Sequence, residues 1–302
     1  MRSILIIGSA GFIGSNLAIN TLKNGYNVYG IDIMGLSFSE YNYYNISIAS
    51  VEFQSLMKQV KFDFIVNCSG SADVSFSFSN PAKDFELNVT NVFIVLNAIK
   101  EYQPNTKYIH FSSAAVYGNP SVFPIVETTL VKPISNYGFH KHHSEQICEQ
   151  FSILYNLDIK IIRAFSVFGY GLKKQLLWDI FQKGRFNDAV VFWGTGEETR
   201  DFIFIDDLVS AIFCILSYPN SKLEVYNVAN GKSVKIRDVI ESFYEALGWN
   251  RNISFNQLQK FGDPVFWKVD IKKLVDLGYK QSFSLKQGLF ETAKWYQQHV
   301  SS

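Results

Sequence analysis

Over the first 165 positions or so, apolar residues fall into two alternating kinds of run. Ile4 to Ile7 is short and unbroken, and NVYGID (27–32) follows it; both read as parallel strands buried on two faces. FDFIVNCSG (62–70) and KYIHFSS (107–113) are two more strands of that kind. Between the strands the apolar spacing becomes helical. SNLAINTLKNG (15–25) closes on Gly25, a residue suited to end a helix. DFELNVTNVFIVLNAIK (84–100) carries Leu87, Val92, Val95, Leu96 and Ile99 at helical spacing. This alternation predicts an α/β chain built on a doubly wound parallel sheet.

The glycines and acids between these runs add chemistry. Gly8, Gly11 and Gly14 follow the first strand at once and open the first helix. Asp32 ends the second strand, 18 residues beyond Gly14. Strand, glycine turn, helix, strand and terminal acid make a dinucleotide-binding unit. Its glycines let the backbone approach a pyrophosphate at the helix N-terminus. An acid at Asp32 accepts hydrogen bonds from ribose hydroxyls and favours NAD over NADP. Glycines alone would be ordinary steric punctuation, and the spacing G-x-x-G-x-x-G departs from the commoner G-x-G-x-x-G. The acid and the flanking strands decide for the cofactor.

Composition narrows the remainder. At 302 residues, 47% apolar and with 27 Phe, the chain has ample material for one large domain or two interwoven ones. The 28 Lys and Arg against 27 Asp and Glu leave a formal charge of +1. That offers no field for nucleic acid or an anionic membrane, so an anionic ligand must be met locally. Cys68, Cys148 and Cys214 are scattered, without metal-ligand spacing, and fit a reduced compartment. No signal-peptide core and no run of about 18 apolar residues occurs, so a cytoplasmic protein is expected.

The stretch SNYGFHKHHSEQ (135–146) supplies candidate catalysts. A helix opening there places Tyr137 and Lys141 on one face, a turn apart. Ser112 and Ser113 end a strand at the carboxyl edge of the sheet, where ligands collect. Serine, tyrosine and lysine beside a nicotinamide suit the interconversion of alcohol and ketone by hydride transfer. Tyr137 would be the base or acid, its pKa lowered by the Lys141 cation and the positive nicotinamide. Lys141 would also hold the nicotinamide ribose, and Ser113 the substrate oxygen. His140, His142 and His143 lack the spacing and partners of a metal site and read as solvated helix residues; no metal is expected.

Gly8/Gly11/Gly14, Asp32, Ser113 and Tyr137-x-x-x-Lys141 together resemble the extended short-chain dehydrogenase/reductases, in their nucleotide-sugar epimerase/dehydratase branch. GTGEETRDFIFIDDL (194–208), YNVANGKSVKIRDVI (226–240) and LGYKQSFSLKQGL (277–289) resemble segments of that branch in order. The resemblance implies a Rossmann-like NAD-binding part (1–166 and 203–229) and a smaller, mostly helical nucleotide-sugar-binding region (167–202 and 230–302). It implies cofactor contacts from Gly8, Gly11, Phe12, Ile13, Gly14, Asp32, Asn45, Ile46, Cys68, Ser69, Gly70, Asn88, Ser112, Tyr137 and Lys141. Arg200 and Lys260 would reach the substrate diphosphate, where lysine lacks the bidentate geometry of arginine. Trp193, with Val191, would pack on the nucleobase. A homodimer is expected through the helices of residues 83–100 and 137–155, with Phe93, Ile147, Phe151 and Leu154 on that face or on the sheet.

Departures from the branch pattern sort its reactions. Sugar 4,6-dehydratases carry an Asp-Glu pair where this chain has Ala114 and Ala115. Water loss across C5 and C6 needs an acid and a base, and two methyl groups supply neither. What remains is hydride chemistry at C4 of a nucleotide-diphosphate sugar: a 4-epimerase, or alternatively a 4-keto-sugar reductase or C4 dehydrogenase. A non-catalytic NAD sensor of the same fold would have lost the serine, tyrosine or lysine. Ser166 stands where an asparagine usually meets the diphosphate. Trp267 falls where the resembling hexose 4-epimerases carry a residue beside the sugar C2 group, and a side chain that large should leave little room for an N-acetyl group.

Overall fold

The computed structural model describes residues 1–36, 38–218, 222–258, 262 and 264–300. The chain runs β1 (Ser3–Ile7), α1 (Phe12–Lys23), β2 (Asn27–Asp32), β3 (Asn42–Asn45), α2 (Val51–Gln59), β4 (Phe64–Asn67), α3 (Val74–Ser79) and α4 (Pro81–Phe85). A π-helical turn (Glu86–Thr90) leads into α5 (Asn91–Tyr102), β5 (Lys107–Ser113), a 3-10 turn (Ala114–Tyr117), α6 (Asn136–Tyr155) and β6 (Asp158–Ala164). Then come β7 (Ser166–Phe168), α7 (Gln175–Phe186), β8 (Ala189–Phe192), β9 (Thr199–Phe204), α8 (Ile205–Ser217), β10 (Leu223–Val228) and β11 (Ser233–Lys235). The chain ends with α9 (Ile236–Leu247), β12 (Asn252–Phe255), α10 (Lys272–Val275) and α11 (Leu285–His299).

Seven strands form the central sheet in the order β3-β2-β1-β4-β5-β6-β10. The pairings from β3 through to β6 are all parallel. Ile4, Leu5 and Ile6 of β1 have no solvent exposure, as an apolar run covered on both faces requires. The chain steps outward from β1 to β3 and then crosses back to β4, so the order reverses between β1 and β4. At such a reversal the following loops diverge and leave a crevice at the carboxyl ends of the strands.

Two compact units divide the chain. Unit 1 comprises residues 1–118, 130–164 and 212–226, and unit 2 comprises residues 119–129, 165–211 and 227–302. In unit 1, Phe53 and Met57 of α2, Val95 and Ile99 of α5 and Cys148 and Phe151 of α6 pack with Leu5, Ile65, Tyr108 and Ile159 of the strands. In unit 2, Phe181 of α7, Phe243 and Tyr244 of α9, Trp249 and Tyr296 of α11 form an aromatic core. Two small sheets, β11-β9-β7 and β12-β8, accompany those helices.

Two local features of unit 1 place the candidate chemistry. The Ser135 hydroxyl accepts from the Gly138 amide at 3.1 Å and caps α6, two residues before Tyr137 in its first turn. The single helix expected over 84–100 is interrupted. A π-helical turn separates α4 from α5, and its wider backbone turns Asn88 inward, where it is 1% exposed. Among the described residues no helix is long and apolar enough to cross a membrane.

Candidate functional site

The turn after β1 is shaped by steric demands at its glycines. Gly8 has φ +79°, and a Cβ there would lie 2.8 Å from the Ser69 amide nitrogen, in the loop after β4. At Gly14 a Cβ would meet the Gly8 carbonyl oxygen at 2.2 Å, so α1 can approach the turn only with hydrogen in that place. Gly11 is the N-cap of α1 and brings no capping side chain. The first-turn amides, with Phe12 and Ile13, are thus left to an external acceptor.

Around this turn the remaining residues expected at the cofactor lie at strand ends. Asp32 ends β2, and its carboxylate accepts from the amides of Ala10 (3.0 Å) and Met34 (3.1 Å). Asn45 ends β3, and in the orientation that satisfies both groups its amide donates to the carbonyls of Asp32 and Ile33, each at 3.2 Å. Ile46 is half-buried against the unit 1 core. Cys68 continues β4, its amide donating to the Ile7 carbonyl at 2.8 Å, and burial pushes its thiol up. Ser69 donates from Oγ to Asn67 Oδ1 at 2.6 Å. A Cβ at Gly70, whose φ is +115°, would sit 2.6 Å from Asn88 Oδ1. That oxygen is buried and has no protein partner.

Ser112, Ser113, Tyr137 and Lys141 come together within unit 1. Ser112 is buried at the end of β5. Ser113 Oγ accepts from the Ala115 amide at 3.2 Å and shares a hydrogen bond with the Tyr137 hydroxyl. The Tyr137 amide donates to Ser77 Oγ at 3.1 Å, which ties the start of α6 to α3. Lys141 Nζ donates to the Phe111 carbonyl at 2.9 Å and lies 6.0 Å from the centre of the Tyr137 ring.

Electrostatics in this cluster differ from the sequence expectation. Burial pushes the Tyr137 phenol up to about 12, the Ser113 hydrogen bond pulls it back, and the Asp84 charge adds to the rise. The lowering expected from Lys141 is not among the influences on the phenol, and burial away from water sets the direction. Burial also draws Lys141 down to about 8, against the raising influence of Asp84 and Glu145. A lysine that releases its proton near neutral pH, beside a tyrosine, is equipped to pass protons.

Of the three histidines expected on a solvated face, His143 is exposed and His142 half-buried, but His140 is not. His140 is 9% exposed, and its Nδ1 lies 2.6 Å from Asp84 Oδ2. Its place between Tyr137 and Lys141 turns it into the protein, toward α4. Glu145, on the same helix, is held by Arg163 of β6 in a bidentate pair, Nε to Oε1 at 2.9 Å and Nη2 to Oε2 at 2.8 Å. Sequence reasoning missed Asp84 and Arg163, which lie 56 and 18 residues from their partners. Their only local signal is an ionisable residue inside an otherwise apolar pattern. Among the described residues no group of three or more side chains could hold a metal ion.

In unit 2 the residues expected at the substrate fall into two groups. Val191 and Trp193, 57% and 56% exposed, stand two residues apart on the outward face of β8 and its continuation. Arg200 and Trp267 form the second group. The guanidinium carbon lies 5.3 Å from the Trp267 ring centre, and Nη1 donates to the Thr199 carbonyl at 2.9 Å. Trp267 is buried, packs edge-on against Phe165 at 5.3 Å, and its indole nitrogen has no partner. Ser166 opens β7 and pairs in register with Phe202 of β9. Lys260 lies outside the described residues.

Comparisons with known proteins agree with this geometry. The putative UDP-glucose 4-epimerase of Methanocaldococcus jannaschii is 25% identical over 303 residues, which cover 97% of each chain. UDP-glucuronic acid 4-epimerase from Bacillus cereus, solved in complex with UDP-glucuronic acid and NAD, superposes with a TM-score of 0.88 at 27% identity. That match covers 98% of this chain and 99% of the other. UDP-glucose 4-epimerase from Thermotoga maritima, solved with UDP-glucose, gives a TM-score of 0.90 at 26% identity, covering 99% and 100% of the two chains. The family model described as NAD dependent epimerase/dehydratase matches residues 4–229. With its glycine turn, its sheet order and its Ser113–Tyr137–Lys141 cluster, the chain belongs to the NAD dependent epimerase/dehydratase family.

Proposed function

We propose that the protein is an NAD-dependent 4-epimerase of a UDP-hexose, of the UDP-glucose or UDP-glucuronate class. The observation that carries the reading is the Tyr137 hydroxyl joined to Ser113, with Lys141 beside it and only the methyl groups of Ala114 and Ala115 next along the chain. This set can move a proton to and from a sugar hydroxyl and has no acid to expel water, which argues against a dehydratase or a decarboxylase. The residues present fit NAD: a glycine turn that admits no Cβ, an uncapped helix start, and a buried amide oxygen on Asn88 left without a protein partner.

When bound, NAD would supply the hydride acceptor and donor for C4 of the sugar. The protein's own residues do the rest. Tyr137 takes the proton of the C4 hydroxyl and later gives it back. Lys141 holds the ribose and keeps positive charge beside the phenol, which with the cofactor's charge opposes the rise caused by burial. Ser113 orients the C4 oxygen. Asp32 binds the adenosine ribose, and residues 1–166 with 203–229 form the NAD-binding part. In unit 2, Arg200 and Lys260 meet the diphosphate, Ser166 stands near it, and Trp193 with Val191 lies on the uracil. The buried Trp267 ring sets the room at C2, so a 2-hydroxy sugar is preferred over a 2-acetamido one.

The protein works in the cytoplasm, supported by three unpaired cysteines. It pairs as a homodimer through α5 and α6, supported by the exposed apolar side chains of Phe93, Ile153, Leu154 and Tyr155. Of the residues expected on that face or on the sheet, Phe151 belongs to the unit 1 core and Ile147 packs against it. Leu154→Glu should yield a monomer in solution.

The test is direct. Wild type, given UDP-glucose or UDP-glucuronate, should form the C4 epimer without added reductant. Tyr137→Phe should lose about 10²–10⁴-fold in rate while still binding NAD. Near-normal turnover by that variant, or release of a 4-keto sugar as the product, would refute the reading.

A further inference from the structure

Asp84 is the one charged residue on α4 that is fully buried, with no solvent exposure, and nothing above gives it a task. Its two carboxylate oxygens are used separately. Oδ2 lies 2.6 Å from His140 Nδ1, and Oδ1 accepts from Asn88 Nδ2 at 3.1 Å. His140 sits on α6 three residues after Tyr137 and one before Lys141, with Phe85 edge-on against its ring at 5.3 Å. Because the Asn88 nitrogen is committed to Asp84, its oxygen is the atom presented toward Gly70.

We propose that Asp84 is a positioning residue for the reaction: clamped by His140, it fixes the amide of Asn88 and sets a carboxyl group beside the Tyr137–Lys141 pair. The proposal rests on the epimerase reading above. Asp84 is the leading charge among those that raise Lys141, and it also raises Tyr137. A simple staple between α4 and α6 is the rival account. Apolar packing would serve a staple as well as or better than a buried polar pair, and it would not need the Asn88 amide.

Few other titratable groups face Asp84. From α6 they are Tyr137, His140 and Lys141, with His143 beyond His140 on the exposed side; α3 contributes none within its span, and Asp73 caps that helix at Phe76. On its own segment Lys83 and Glu86 pair with each other at 2.7 Å on the exposed side. Lys141 additionally feels Glu145, Cys148 and Cys68.

The experiment measures Lys141 itself. Carbon-13 lysine NMR of the NAD-bound protein follows its titration, with the resonance assigned by its loss in Lys141→Met. Asp84→Asn should lower the Lys141 midpoint by about half to one pH unit, because the carboxylate no longer favours the cation. With UDP-sugar, kcat should fall about tenfold at neutral pH while KM stays level. An unmoved midpoint, with only a lower melting temperature, would make Asp84 a staple and overturn the proposal. If Asp84→Asn does not fold, the double variant Asp84→Asn/His140→Asn replaces both partners by amides that can bond each other, and the same midpoint decides. If the wild type turns over no UDP-sugar, the epimerase reading fails alone, and the Lys141 midpoint still rules for or against the role of Asp84.

Discussion

Replacing Lys141 by Met removes the buried ammonium and keeps a linear side chain of similar size. Burial draws the Lys141 ammonium from an ordinary 10.5 down to about 8. A drop of that size, at about 1.4 kcal/mol per pH unit, means the charged form costs the folded protein about 3 kcal/mol at pH 7. The lost hydrogen bond to the Phe111 carbonyl gives back about 1 kcal/mol. Lys141→Met should therefore be about 2 kcal/mol more stable than wild type at pH 7, and inactive. The sign with pH is the sharper check. Between about pH 8 and 10.5 the unfolded chain holds a proton on Lys141 that the folded protein has lost, so wild-type stability rises with pH there. The variant has no such gain, and its advantage should close across that window and be constant below it. Urea unfolding at a series of pH values, followed by circular dichroism, measures the difference. All five tryptophans lie in unit 2, so tryptophan fluorescence serves as a separate record of that unit. An advantage that stays flat from pH 7 to 10 would show that Lys141 keeps its proton, and would refute the electrostatic account of the site.

Three further outcomes are expected. Gly14→Ala should abolish NAD binding and lower the melting temperature, because its methyl group would lie 2.2 Å from the Gly8 carbonyl oxygen; equilibrium dialysis with NAD reads the first effect. Glu145→Gln should cost about 3–5 kcal/mol in urea unfolding, since it leaves Arg163 buried without its anion. Burial pushes the Glu145 carboxyl up, but Arg163 holds it down at about 2, so the pair's contribution is present above the ordinary carboxylate range and is lost as pH falls toward 2. Trp267→Ala should raise turnover of a UDP-N-acetylhexosamine relative to UDP-glucose by at least tenfold, and an unchanged ratio would remove Trp267 as the determinant of C2 specificity.

Much of unit 1 was legible in the sequence because its signals are local. Apolar runs mark strands covered on both faces, and Ile4 to Ile7 behaves accordingly. Glycine spacing, Asp32 at a strand end, and Tyr137 one turn from Lys141 are likewise relations within a few residues or one βαβ unit. The π-helical turn was not legible, since the apolar positions of DFELNVTNVFIVLNAIK read as one helix and the inward turn of Asn88 toward Asp84 leaves no mark on them. His140 was misread for the same reason. Nothing near it in the sequence indicates burial, and its partner comes from another helix. The short strands of unit 2 were missed because three or four residues carry too little periodicity to register.

Helix α6 shows why these failures gather in one place. Its buried face includes Tyr137, His140, Lys141, Ser144 and Glu145, so it lacks the apolar stripe that normally announces a packed helix. Each polar group is answered from a different element: His140 by Asp84, Ser144 by His110, Glu145 by Arg163. Lys141, the cation of this set, gives its hydrogen bond to a backbone carbonyl, which can neutralise none of its charge. The helix is thus anchored by satisfied pairs on either side of one ammonium that is under-compensated and easily deprotonated. Rigid neighbours around a proton-labile group are what a site needs in order to move a proton without moving the backbone. The sequence pattern fails where the protein spends its polar residues on chemistry instead of on packing.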